Sequence, residues 1–318
     1  MEFSCHTWAF HDLPLTEALG TIARLGFRHA DIGTGPGFPL RGAVGAPERA
    51  AAEIKQDLLL FDLKISDLYL MLPRISLGEN EADSERRDKD LELFKALMPF
   101  AKALNPPGIT VSPGTAQTDD GAYDRTVDAL KQMVEAAQAV ELTVSIEPHL
   151  ESMASTPDAA IRLIHDVPGL KITLDWAQMV TQNIAHEDIL QLLPYTRHVQ
   201  IRQAARGQLQ TVFDKGKVEI SRVVNDLQAS GYAGVVCIEF MNIPGKHGMS
   251  KADALRETVK MRDALRDARA AIPPDLKPLV IPIRPPPAKP PVVKPSSEKT
   301  PANPPPAKRT PREKKGKK

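Results

Sequence analysis

The sequence predicts an α/β fold: an eight-stranded β/α barrel followed by a disordered Pro/Lys-rich C-terminal tail. Three observations predict it. Strand-like and helix-like stretches alternate eight times over about 270 residues, a rhythm whose connections give a parallel sheet. Four of the strand-like stretches end in a polar residue on the face opposite their aliphatic stripe. The 318 residues, 42% of them apolar, suit a single barrel of about 250 residues with additions.

Taken in order, residues 2–8 read as the first strand, and a loop and helix follow to about residue 25. Gly26 stops that helix at the position where a left-handed cap favours glycine. Residues 28–32 form the next strand. The TGPGFP stretch behind it carries Gly33, Gly35 and Gly37 and invites comparison with a phosphate cradle. Pro36 and Pro39 interrupt it, however, and no Lys-Ser/Thr pair or immediate helix follows, so a plain flexible loop is expected. Residues 46–61 make a helix with Pro47 in its first turn, 64–72 a third strand, and 84–104 one long charged helix. A short fourth strand at 108–112 and a helix over 124–140 lead into the second half.

There, residues 142–150 read LTVSIEPHL. Leu142, Val144 and Ile146 alternate with Thr143, Ser145 and Glu147, the period of a strand with unlike faces. Pro148 cannot donate to a sheet, so Glu147 is the last residue of its strand. The design recurs in KITLDW (171–176), ending in Asp175, in HVQIR (198–202), carrying His198, Gln200 and Arg202 on one face, and in VVCIEF (235–240), with Glu239. Helices over 157–165, capped by Thr156, and over 186–193, 220–229 and 251–270 separate and close these strands. If the strands lie parallel in a closed barrel, Glu147, Asp175, Gln200 and Glu239 converge at one mouth.

From residue 272 the pattern gives way to proline. Fifteen of the 29 prolines fall there, so the expected boundaries are a barrel over 1–271 and a disordered basic tail over 272–318. Its first part, 276–283, is apolar enough to pack on the barrel exterior. Residues 271–318 hold twelve Lys and Arg against three acids, a balance of +9, which leaves −8 on the body of a chain whose net charge is +1. A mildly acidic body is not built to grip a phosphate backbone. For the tail a solvated tether is the plainer reading, beside docking to nucleic acid, an anionic lipid surface or a proline-recognising partner. Two cysteines, Cys5 and Cys237, are too few for a disulfide framework and point to a reducing compartment. With neither a signal-like N-terminus nor a long apolar run, a cytoplasmic protein without a membrane span is expected, its oligomeric state left open.

Three carboxylates at one mouth repel one another and stay ionised together only if something positive neutralises them. A divalent cation answers that need, and Arg202 or Arg206 offers part of the charge. SIEPHL, TLDWAQ, HVQIRQA and CIEF, with the opening strand–helix–strand unit, resemble the sugar isomerase/epimerase superfamily of xylose isomerase-like TIM barrels over residues 2–270. The resemblance implies one divalent cation, Mn²⁺ or Mg²⁺ before Co²⁺ or Zn²⁺, on Glu147, Asp175 and Glu239. Two positions depart from the pattern. The seventh strand has His198-x-Gln200 where relatives have His-x-His, so a fourth ligand at Gln200 is a carbonyl oxygen, and Gln178 replaces a histidine after the sixth strand.

The resemblance further implies proton abstraction next to a carbonyl of a small keto-sugar or cyclitol, through an ene-diolate, with Glu147 and Glu239 as paired acid and base. Arg206 matches an arginine that orients substrate oxygens. His149, Arg202, Gln178 and Trp8 complete the expected substrate contacts, His149 standing equally as a metal ligand and Trp8, with Phe10, equally as core. His198 is expected as a satisfied core histidine, with His6, His11 and Asp31 as lesser candidates. Because glutamine cannot shuttle a proton, dehydration or β-elimination on the same site stays open, as does a non-catalytic member whose tail carries the function. A DNA-repair endonuclease on this scaffold needs a histidine-rich multi-zinc cluster and a basic face, which eight scattered histidines and an acidic body do not offer.

Overall fold

In the computed structural model eight parallel strands close on themselves: β1 (Glu2–His6), β2 (His29–Gly33), β3 (Lys64–Tyr69), β4 (Ile109–Val111), β5 (Val144–Ile146), β6 (Lys171–Asp175), β7 (Thr196–Ile201) and β8 (Val235–Ile238). Closure is made by β8 against β1, with Glu2 opposite Val235 and Cys5 opposite Ile238. The structure describes residues 1–35, 38–72, 84–117, 119, 121–241, 246–250 and 252–282.

The aliphatic stripes face the helices. Val144, Ile146, Ile172, Leu174, Val199, Ile201, Val236 and Ile238 are all buried, each contributing about 1.5–3 kcal/mol of transfer free energy against the helical layer. The helices answer with their own stripes: in α10 (Ile220–Ala229) the buried residues Ile220, Val223, Val224 and Leu227 recur at helical spacing. The last helix, α11 (Ala254–Ala270), starts at Asp253, whose carboxylate accepts from Arg256 N–H at 3.1 Å. The first, α1 (Leu15–Arg24), ends as expected, with Gly26 at φ +81°.

Four expectations shift. The charged segment is two helices, α4 (Ser84–Ala96) and α5 (Met98–Leu104), because Pro99 has no N–H to continue the ladder and its ring crowds the preceding turn. A short α2 (Leu40–Gly45) precedes α3 (Pro47–Leu60). The first strand stops at His6 and continues as a 3-10 turn, Thr7–Phe10, because the His6 ring accepts from Trp8 N–H at 3.1 Å. Trp176 begins α8 (Trp176–Thr181) instead of closing β6, since Asp175 accepts from Ala177 N–H at 2.9 Å and acts as its N-cap. The remaining helices are α6 (Ala122–Gln138), α7 (Pro157–Asp166) and α9 (His186–Leu190).

Inside the barrel the strands present polar side chains, where such barrels usually hold branched aliphatics. Asp31 accepts from Ser4 at 2.9 Å and from Ser66, and it pairs with His198 at 2.6 Å. Asp67 pairs with Arg197 at 2.7 Å and accepts from Thr110, and Ser145 and Thr173 extend the network. These buried groups are tolerable because they satisfy one another.

Of the tail, residues 272–282 run along the barrel. Leu279 donates its N–H to Ala229 O at 2.8 Å, and Ile272, Leu279 and Ile281 are partly buried against the core. The expected disorder of the rest falls on residues 283–318, outside the described residues. No helix among the described residues is long and apolar enough to cross a membrane.

Candidate active site

The carboxyl ends of β5, β6 and β8 deliver Glu147, Asp175 and Glu239 to one place, where a carboxylate oxygen from each lies within 4.8 Å of the other two. All three side chains are buried. Glu147 and Glu239 line a cavity of about 350 Å³ whose lining also includes Trp8, Tyr69, His149, Gln178 and Arg202.

Each acid is held differently. Glu147 accepts from Tyr69 O–H at 2.7 Å on one oxygen and from the Gln178 amide at 3.2 Å on the other. Gln178 is itself fixed, its carbonyl oxygen accepting from Leu150 N–H at 3.2 Å. Asp175 gives one oxygen to the cap of α8 and the other to Arg202, whose Nη2 donates at 2.7 Å. Burial pushes Asp175 up to about 6, against the pull of Arg202 and with Glu147 adding repulsion. Glu239 has an oxygen 3.1 Å from Arg202 Nη1, but that nitrogen directs its hydrogen bond to the Glu239 carbonyl at 2.9 Å, so Oε2 has no aligned donor. Burial raises Glu239 well above the usual carboxylate range; Arg202 opposes the shift, and Glu147 and Asp175 reinforce it.

Other expected residues take definite places. His149 lines the cavity with both ring nitrogens engaged: Nδ1 donates to Leu150 O at 2.7 Å, and Nε2 shares a hydrogen bond with Ser112 Oγ at 2.8 Å. Gln200 lies beside Asp175 in the sheet register, fully buried, and neither atom of its amide has a protein partner. Trp8 forms a wall, its ring 4.8 Å from that of Tyr69 and 4.3 Å from that of His6. Burial pushes His6 down to about 4, so its ring is neutral. Arg206 is exposed on a turn bridged by Ala205 and Gln208, outside the cavity lining. His198 lies below the site, bound to Asp31.

Tyr69 is the site residue that the sequence reading passes over. Its signal was present: Asp67, Tyr69 and Met71 alternate on one face at the end of β3, and Tyr69 is the hydroxyl nearest the mouth. Gly33 and Gly35 also acquire a role, because a Cβ on either would lie 2.4 or 2.6 Å from Trp8 Nε1. These glycines make room for the cavity wall.

The implied metal must be weighed against this donor set. The three carboxylates are close enough to share an ion. Asp175 and Glu147, however, have both oxygens bonded within the protein, and the Arg202 guanidinium stands between Asp175 and Glu239. The set does not fit a divalent cation while Arg202 holds that place.

A family profile described as xylose isomerase-like TIM barrel matches residues 19–265. No curated protein matches by sequence. Among solved structures, the chain resembles a D-psicose 3-epimerase from Clostridium cellulolyticum H10 with D-tagatose (TM-score 0.66, 17% identity, 85% of this chain and 99% of that one). It also resembles a 3-keto-D-glucoside 4-epimerase from E. coli (0.64, 20%, 85% and 100%). A third is a probable 3-DHS dehydratase from Bacillus anthracis (0.64, 18%, 83% and 99%).

Proposed function

Because the chain belongs to the xylose isomerase-like TIM-barrel family, we propose that it is a sugar isomerase or epimerase, moving a proton at the carbon next to the carbonyl of a small keto-sugar or cyclitol. The observation that carries this reading is a pair of glutamates held by unlike partners at one cavity. Glu147 receives two hydrogen-bond donors, whereas Glu239 Oε2 has no aligned donor and a strongly raised pKa. Glu239 is suited to give up a proton, and Glu147 across the same cavity is assigned the part of the base.

In the step this supports, Glu147 takes the proton from carbon. The C–H electron pair forms the new C=C bond, and the carbonyl electrons move onto oxygen. Glu239 returns a proton to the opposite face of the same carbon for epimerisation, or to the neighbouring carbon for isomerisation. In isomerisation the hydroxyl on the first carbon becomes the new carbonyl, and its proton passes to the oxygen of the old one. The Glu239 carboxylate is then left 3.1 Å from the Arg202 guanidinium, which stabilises it. One turnover leaves Glu147 protonated and Glu239 ionised, so the pair resets by giving one proton to water and taking another from it, which is how solvent deuterium enters the product. Trp8 offers a flat apolar face to a sugar ring, and His149, locked by Ser112 and Leu150, adds a fixed imidazole to the same lining.

The test is incorporation of solvent deuterium into a panel of ketoses and inososes. Glu147→Gln and Glu239→Gln are each expected to slow exchange by about 10²–10⁴-fold with an unchanged circular dichroism spectrum. Full-rate exchange in either variant removes that residue from the chemistry, and loss of water in place of exchange moves the reaction to elimination.

A further inference from the structure

Arg202 is the largest buried cation of the barrel mouth, with its side chain 1% exposed. Its fork reaches Asp175 Oδ2 at 2.7 Å, Glu239 Oε2 at 3.1 Å and the Glu239 carbonyl at 2.9 Å. An ion shared by these acids would need the same space and the same lone pairs. Three further oxygens each accept a hydrogen bond within the protein, Asp175 Oδ1 from Ala177 N–H and both of Glu147 from Tyr69 and Gln178. At the two positions where the family resemblance leads one to expect imidazole stand Gln178 and Gln200, which keep polar reach but give up a strong ligand nitrogen.

We infer that Arg202 is the resident cation of this site, so that the chain binds no divalent metal there and meets the developing oxyanion of its substrate with a guanidinium. The catalytic half of this inference rests on the proton-transfer reading above; the metal half rests on geometry alone. Two features support the substitution. A guanidinium is permanently charged and weakly hydrated, so it holds a place among buried carboxylates better than an ammonium would. Its Nε–H is buried and has no protein partner, and Arg202 lines the cavity, which leaves one charge-assisted donor for a substrate oxygen.

Calorimetric titration of the full chain with Mn²⁺, followed by elemental analysis after desalting, decides the metal half. The wild type is expected to show no saturable binding and to retain well under one equivalent. Arg202→Ala, which uncovers the three carboxylates, is expected to bind one equivalent, at least roughly ten-fold tighter than wild type. One tightly held equivalent in the wild type overturns the inference, and this result stands whether or not the alanine variant folds. For the catalytic half, deuterium exchange in the wild type is expected to be unchanged by excess EDTA. Exchange that disappears with EDTA and returns with Mn²⁺ overturns the inference, while absence of exchange under every condition overturns the proton-transfer reading and leaves the Mn²⁺ titration to decide this one. Arg202→Lys separates charge from shape: a compact ammonium cannot reach three oxygens at once, so catalysis is expected to fall at least ten-fold without gain of metal.

Discussion

At the scale of single residues, the cavity wall depends on a glycine that carries no chemistry, Gly33. A Cβ at Gly33 would sit 2.4 Å from Trp8 Nε1, 2.5 Å from Trp8 Cε2 and 2.6 Å from His6 Cε1, all ring atoms that cannot fold aside as a flexible chain end would. The Gly33 N–H also donates to Thr7 at 3.1 Å, so the strand cannot easily back away. Gly33→Ala is therefore expected to destabilise by about 1–3 kcal/mol and to displace the cavity wall. Calorimetric melting together with the exchange assay checks this; a variant with wild-type melting and wild-type exchange would show that Trp8 has other room. Gly33 and Gly35 of the proline-interrupted stretch are thus explained by packing against an aromatic, while Pro36 and Gly37 lie outside the described residues.

At the scale of elements, the strands share a buried polar interior that makes stability depend on pH. Burial by itself would lower the His198 pKa, but the adjacent Asp31 carboxylate, with Asp67 behind it, outweighs burial and holds it above the ordinary value. Burial would raise Asp31, and His198 outweighs it in turn, holding that carboxyl well below its usual range. A raised histidine contributes stability that is complete below about pH 6.5 and is lost as pH rises through its folded value. A depressed aspartate contributes stability that is complete above about pH 4 and is lost only in stronger acid. His6 works in the opposite sense to His198, since its neutral form is favoured and its contribution disappears as pH falls towards about 4. The wild type is therefore expected to lose more stability between neutral and alkaline pH than His198→Gln does, read as urea midpoints across that range. Parallel curves for the two proteins would remove His198 from the balance.

At the scale of the whole molecule, the described residues of the site all belong to the barrel. Residues from Trp8 to Met249 line the cavity, and residues 272–282 touch only the outside. Removing residues 283–318 is expected to leave deuterium exchange unchanged and to move the melting temperature by less than about 2 °C. Removing residues 273–282 as well takes away the Leu279 backbone bond and the packing of Leu279 and Ile281, and is expected to cost about 1–3 kcal/mol. Equal melting of the two truncations would mean that this stretch adds nothing to the barrel.

The sequence by itself determined the alternation of strands and helices, the face on which each strand carries its acids, and the strand ends at which Glu147, Asp175 and Glu239 sit. These are local properties: a period of two, a proline stop and a helical stripe can be read within ten residues. Only the tertiary structure decided that Arg202 stands between Asp175 and Glu239, that Tyr69 holds Glu147 across 78 positions of chain, and that Arg206 stays outside. The chain pattern placed Arg202 and Arg206 alike near the end of one strand. Barrel closure separated them, because which of two nearby arginines reaches a buried oxygen depends on distances between strand ends that no single stretch of sequence contains.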